Sequence, residues 1–219
     1  MSFVISPFIP FPNISWWAAI SGAQSLYLDQ AEHFQKMTYR NRYYISGANG
    51  IIQLSIPLIH GRNQRAAMKD IQISNKDRWQ VQHWRTLVSV YRRSPYFDHY
   101  ENSVNSLFQK QYNYLLDFNI ASIRWLKEQI KMQFEEQLID EYIKVYDDAV
   151  YDLRKMKPRI EKSVEISYPE YYQVFKDRTG FLPNLSMLDL LFSEGPYTHD
   201  WVNSHKRDIL KMLNGSIVN

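Results

Sequence analysis

The densest set of residues able to receive an anion runs from Phe34 to Arg42. There Lys36, Arg40 and Arg42 stand among Thr38, Asn41 and the aromatics Phe34, Tyr39, Tyr43 and Tyr44. From His33 to Lys69 there is no Asp or Glu, whereas Lys36, Arg40, Arg42, Arg62, Arg65 and Lys69 are basic. An arginine presents a planar fork of N–H groups that grips phosphate or carboxylate through two parallel hydrogen bonds, and a lysine adds a point charge. Arg40 and Arg42 are therefore expected to hold the anionic part of a small-molecule substrate. Lys36 would assist, Tyr44 would offer a stacking face, and Asn41 and Asp189 would orient polar groups. The plainer reading is a solvated basic strand, or arginines paired with acids elsewhere in the chain.

His83 is the candidate general base, because its ordinary pKa lies near neutrality. It falls four residues after Trp79 and four before Leu87. A histidine so placed serves equally as a hydrogen-bonded part of a core.

Other chemistries find less support. The chain has no cysteine, which removes thiolate nucleophiles, disulfides and thiolate-bound zinc and fits a reducing compartment. Its six histidines show no H-x-x-x-H or H-E-x-x-H spacing. Oxygen ligands for magnesium could come from Asp147, Asp148 or Asp152. Only seven glycines occur, with no G-x-G-x-x-G or Walker sequence. No G-x-S-x-G elbow is present either. No cofactor is indicated.

Charge and hydropathy bound the class. The formal net charge of +3 over 219 residues is too small to demand nucleic acid, and the basic residues do not extend along a helix or sheet. Residues 134–153 carry seven acids against Lys144, so the chain is electrically uneven. A 45% hydrophobic share rules out wholesale disorder. No apolar run approaches the ~20 residues of a membrane span. The proline-broken N-terminus does not read as a signal peptide, and a cytoplasmic location is expected.

Several elements must position these residues. Phe3-Val4-Ile5, a proline-rich turn, a helix capped by Asn13 or Ser15, and a strand at 25–29 suggest a βαβ-like opening. Arg40–Ser46 and Ile51–Pro57 flank Gly47-Ala48-Asn49-Gly50, and Asn-Gly favours a tight hairpin turn. In that hairpin Arg40, Arg42 and Tyr44 would share one face, and Asn41, Tyr43 and Ile45 the other. Asp70–Ile73 reads as a strand. Helices are expected from Asn75 or Asp77 to Arg93, over 97–113 and 115–134, after Asn184 or Ser186, and over 198–213. The acidic segment shows no clean period, and Glu165–Pro169 reads as a short strand or loop. The expectation is an α+β fold, with a small mixed sheet and Asn-Gly hairpin in the N-terminal third and a mainly helical remainder. One domain over residues 1–219 fits the lack of repeats and linkers.

Four blocks resemble the WbqC-like family of bacterial proteins. The first runs from Glu32 to Arg42, with Asn49-Gly50 and Leu54-Ser55-Ile56-Pro57. The second is Trp79–Arg85 through Tyr91 to Ser94-Pro95-Tyr96-Phe97. The third is Gly180–Phe192 with Gly195-Pro196, and a shorter one is Asp152-Leu153-Arg154 with Lys157-Pro158. The opening departs from the family, which tends to show tyrosine before the first proline; Phe8-Ile9-Pro10 or Phe11-Pro12 stands here. Some family members are encoded among genes for surface polysaccharide such as O-antigen. The resemblance thus implies group-transfer chemistry in polysaccharide or glycoconjugate biosynthesis, on a nucleotide sugar or acyl donor. The alternative is a non-catalytic binding or scaffold protein whose basic face docks an acidic partner.

Overall fold

The computed structural model describes residues 3–59, 66–146, 150–156, 158 and 168–217, with side chains omitted at 150 and 212–217. Asp147, Asp148, the loop 60–65 and residues 165–167 of the expected strand lie outside the described residues.

Strand β1 (Phe3–Pro7), helix α1 (Ile14–Ile20) and strand β2 (Ser25–Asp29) form the expected opening, with β1 and β2 parallel. Two further strands complete a wholly parallel sheet. β5 (Glu135–Ile139) pairs with β2, and β6 (Val150–Asp152) pairs with β1, giving the order β5-β2-β1-β6. The hairpin of β3 (Arg42–Ile45) and β4 (Ile52–Ser55) is a separate antiparallel pair. Between and after these come α2 (Trp79–Tyr91), α3 (Phe97–Gln109), α4 (Leu115–Gln129), the short α5 (Lys176–Thr179), α6 (Met187–Glu194) and α7 (Thr198–Ile217). The chain is α+β, with its helices mostly in the C-terminal part.

Parallel register puts Val4, Ser6, Leu26, Leu28 and Glu136 on one face of the sheet. That face is covered by helices. The Trp16 indole of α1 donates to Ser6 Oγ at 2.6 Å, and Arg124 and Lys127 of α4 bind Glu136. Among the described acids of this region, Glu136 is thus neutralised by α4 rather than by the basic N-terminal block. The opposite face, with Phe3, Ile5, Tyr27 and Ile139, forms with Ile143 and Tyr146 an apolar cleft of about 330 Å³.

The β1–α1 connection is the deepest part of the molecule. Every residue from Phe8 to Asn13 is buried, and the Phe11 ring meets those of Tyr43, Phe108, Phe118 and Trp125. Phe11 has φ of 40° and is held there by two hydrogen bonds: its N–H donates to Ser122 and its carbonyl accepts from Ser186. In sheets of this kind a phosphate often sits at the helix following β1. Here that helix end is filled from within. Ile14 N–H donates to the Leu185 carbonyl, Ser15 N–H to Asn184 Oδ1, and Trp16 N–H to the Asn13 cap.

Several expectations are corrected. The hairpin around Gly47–Gly50 forms, but its strands are shorter than expected, β3 starting at Arg42 rather than Arg40, and its turn spans Ser46–Ile51 with Gly50 alone among those residues at positive φ. Asp70–Ile73 forms a 3-10 turn and isolated bridges because its partners, Leu58 and Tyr114, meet it one residue at a time. The acidic segment, which lacks a period of its own, yields β5 through pairing with β2.

Candidate functional site

Arg40 does not belong to the hairpin. Thr38 caps a 3-10 turn over Tyr39–Asn41, and β3 begins only at Arg42, so the expected shared face of Arg40 with Arg42 and Tyr44 does not form. The Arg40 side chain turns inward and is fully buried. Its Nε donates to Glu32 Oε1 at 2.8 Å, and Nη2 donates to Glu32 Oε2 at 2.5 Å and to the Arg154 carbonyl at 3.1 Å. Its fork is already closed on a carboxylate.

This pair joins a larger charged group at the carboxyl ends of β2 and β6. Arg154 donates to Asp29 Oδ2 at 2.9 Å and grips Asp152 through Nε and Nη2. Its guanidinium also lies near the faces of Tyr142 and Tyr146. Burial pushes the Glu32 carboxyl up, against the lowering effect of Arg40. At Asp152 burial pulls the same way, but the hydrogen bonds and charge of Arg154 prevail and hold it below the usual range. The direction of strand succession reverses between β1 and β6, where open α/β sheets commonly take ligands. In this chain the position is occupied by the protein's own ion pairs. Asp152 is accordingly an arginine partner, and no group of three or more potential metal ligands occurs among the described residues.

Arg42 is different. It shares with Tyr44 the outer face of β3, opposite Ser55 and Gln53 of β4. Its side chain is half-buried and has no carboxylate partner among the described residues. One long contact joins Nη1 to Gln53 Oε1 at 3.4 Å, and Nε is buried without a partner. Tyr44 donates to the same Gln53 oxygen at 3.1 Å and meets the Tyr39 ring edge-on. Tyr39 and Tyr44 form a small cleft of about 40 Å³ with Ile51, Pro158, Pro183, Asn184 and Leu185. Three of the four resemblance blocks meet at this cleft. Asn41 donates to the Ile56 carbonyl at 3.0 Å and pins the hairpin, while its Oδ1 is buried without a partner. Lys36 is exposed in the loop before the turn.

His83 lies across β3 from Arg42, on the buried Tyr43 side. The Tyr43 hydroxyl is 3.1 Å from Nδ1, and Nε2 is 3.3 Å from the Ser55 carbonyl. A carbonyl can only accept, so Nε2 carries the proton and Nδ1 accepts from Tyr43. Burial lowers the His83 pKa to about 4. Both ring nitrogens are engaged, and Trp79 packs edge-on against the ring. Arg40, Arg42 and His83 therefore occupy three separate environments.

Asp189 is also interior. Its carboxylate accepts from Ser46 Oγ at 2.6 Å, Tyr91 at 2.5 Å, Tyr171 at 2.8 Å and Gln173 at 3.0 Å. It ties α6 to the hairpin, α2 and the segment before α5, with both carboxylate oxygens engaged. Sequence reasoning passed over Asp29 and Glu32 as partners of the basic residues. Glu32 opens the first resemblance block and Asp152-Leu153-Arg154 is the shortest, which was the available signal.

The WbqC-like protein family matches residues 8–156, and the chain belongs to that family. No curated protein matches it, and no solved structure does. No helix among the described residues is long and apolar enough to cross a membrane.

Proposed function

We propose that the chain binds an anionic, activated small molecule through Arg42, as a transferase-like enzyme of surface-polysaccharide or glycoconjugate biosynthesis. The observation that carries this reading is the half-buried Arg42 guanidinium, which among the described residues lacks a carboxylate and leaves Nε unpaired. A partly desolvated charge without a counterion is costly, and a ligand phosphate or carboxylate would satisfy it. Tyr44, on the same strand face, and Tyr39 would flank the bound group, with Lys36 adding charge from the neighbouring loop. The occupied N-terminus of α1 argues that a nucleotide sugar, if it is the donor, places its phosphates on the hairpin rather than at the β1–α1 turn. The sugar-biosynthetic setting rests on the gene context of some family members.

The position of His83 favours a second reading. With the expected base held on the far side of β3, the Arg42 face serves binding without catalysis, and an acidic protein partner would meet the same guanidinium.

A thermal-shift screen of nucleotide sugars, acyl donors and simple polyanions, run on the parent chain and on Arg42→Gln, tests both. Stabilisation by one activated donor, abolished in Arg42→Gln, supports the first reading. Absence of stabilisation by every small anion removes it and leaves the scaffold.

A further inference from the structure

A cleft of about 460 Å³ shares no residue with the Arg42–Tyr44 face. Its walls are Ile59, the segment of Gln72 to Lys76 preceding α2, and Asn113-Tyr114 at the start of α4. Backbone hydrogen bonds fix these walls to one another: Ile59 N–H to the Gln72 carbonyl at 3.0 Å, Ile73 N–H to Asn113 at 2.8 Å and Leu115 N–H to Ile71 at 2.9 Å. Asn75 adds a side-chain clamp, donating to the Tyr112 carbonyl at 2.9 Å. The shape is thus set before any ligand arrives.

The groups presented to the cleft are of three kinds. Tyr114 is a large ring left 41% exposed. Gln72 and Asn113 are exposed amides whose side chains make no hydrogen bond among the described residues, and each can donate and accept. Lys76 is an exposed ammonium with no ion-pair partner among them. An apolar ring face suits the C–H face of a pyranose, exposed amides suit its hydroxyls, and one cation suits a carboxylate on the ring.

We propose that this cleft is a saccharide subsite that stacks a pyranose on Tyr114 and prefers an acidic sugar, a hexuronate, through Lys76. The inference uses none of the Arg42 residues and stands or falls apart from that reading.

The test is an NMR titration of the isotope-labelled full chain with trigalacturonate, the neutral maltotriose, and a short single-stranded oligonucleotide. Trigalacturonate is expected to shift the amides of Gln72, Lys76, Asn113 and Tyr114. Tyr114→Ala, at an exposed position, should keep the rest of the spectrum and weaken binding about tenfold. Lys76→Gln should remove the advantage of trigalacturonate over maltotriose, a factor of about five. Arg42→Gln should leave the titration unchanged. Shifts that are absent, that fall elsewhere, that persist in Tyr114→Ala, or that only the oligonucleotide produces would overturn the proposal.

Discussion

Arg40 and Glu32 face each other in a two-pronged ion pair, Nε to Oε1 at 2.8 Å and Nη2 to Oε2 at 2.5 Å, with both side chains almost wholly out of water. The pair joins residues eight positions apart and anchors the 3-10 turn over Tyr39–Asn41 that leads into β3.

Breaking that pair from one side leaves a buried charge alone. Glu32→Leu or Arg40→Met is therefore expected to cost about 3–5 kcal/mol in urea unfolding, while the double variant should recover much of the loss. Equal losses in single and double variants would show that the pair acts chiefly by packing.

Arg42 should behave oppositely. Arg42→Gln removes a half-buried charge with one long hydrogen bond, so its stability should stay within about 1 kcal/mol of the parent. The loss should appear in anion binding instead, read by calorimetry with whichever donor the thermal screen selects.

His83 gives a pH signature with a definite sign. Its pKa falls from the ordinary value near 6.5 to about 4 in the folded chain. Between these values the unfolded chain binds more protons, so stability drops as pH falls from 6.5 to 4, by on the order of 3 kcal/mol. Glu32 and Asp189, both raised by burial, act in the other sense: their contribution is present below the ordinary carboxylate pKa and lost as pH rises through the folded values. The difference between the parent and His83→Gln across pH 4–7 isolates the histidine. A slope that is the same in both chains would contradict the assignment.

Asp189→Ala would leave Ser46, Tyr91, Tyr171 and Gln173 without their shared acceptor in the interior. A loss of at least ~3 kcal/mol is expected, far beyond that of a single surface hydrogen bond. Tyr91→Phe, which removes one donor and leaves the carboxylate satisfied, should cost only about 1 kcal/mol.

How far the chain could be read beforehand depends on where each signal lay. The β1-α1-β2 opening, the hairpin and α2 carry their own local patterns, and all three form. β5 does not: Glu135-Glu136-Gln137-Leu138-Ile139 has no strand-like alternation, and its pairing with β2 comes from a partner more than a hundred residues earlier. Arg40 misleads for a related reason. Strand alternation placed it beside Arg42, but the Thr38 cap starts a turn that rotates it inward onto Glu32. The face of Arg42 and Tyr44 was legible because it needs only the period of two within β3. That His83 lies behind that strand was not, since helix periodicity gives an inward face without saying which neighbour it meets.

The hydrogen bond from Ser46 to Asp189 spans 143 residues of chain, and that from Ser15 to Asn184 spans 169. Such closures are slow, because a long loop must be ordered before the contact returns any free energy. During synthesis the N-terminal hairpin and α1 must wait, their buried donors unpaired, until the segment around Asn184 to Asp189 has emerged. A chain stopped at residue 156, where the family match ends, would hold α1 and the hairpin in that waiting state.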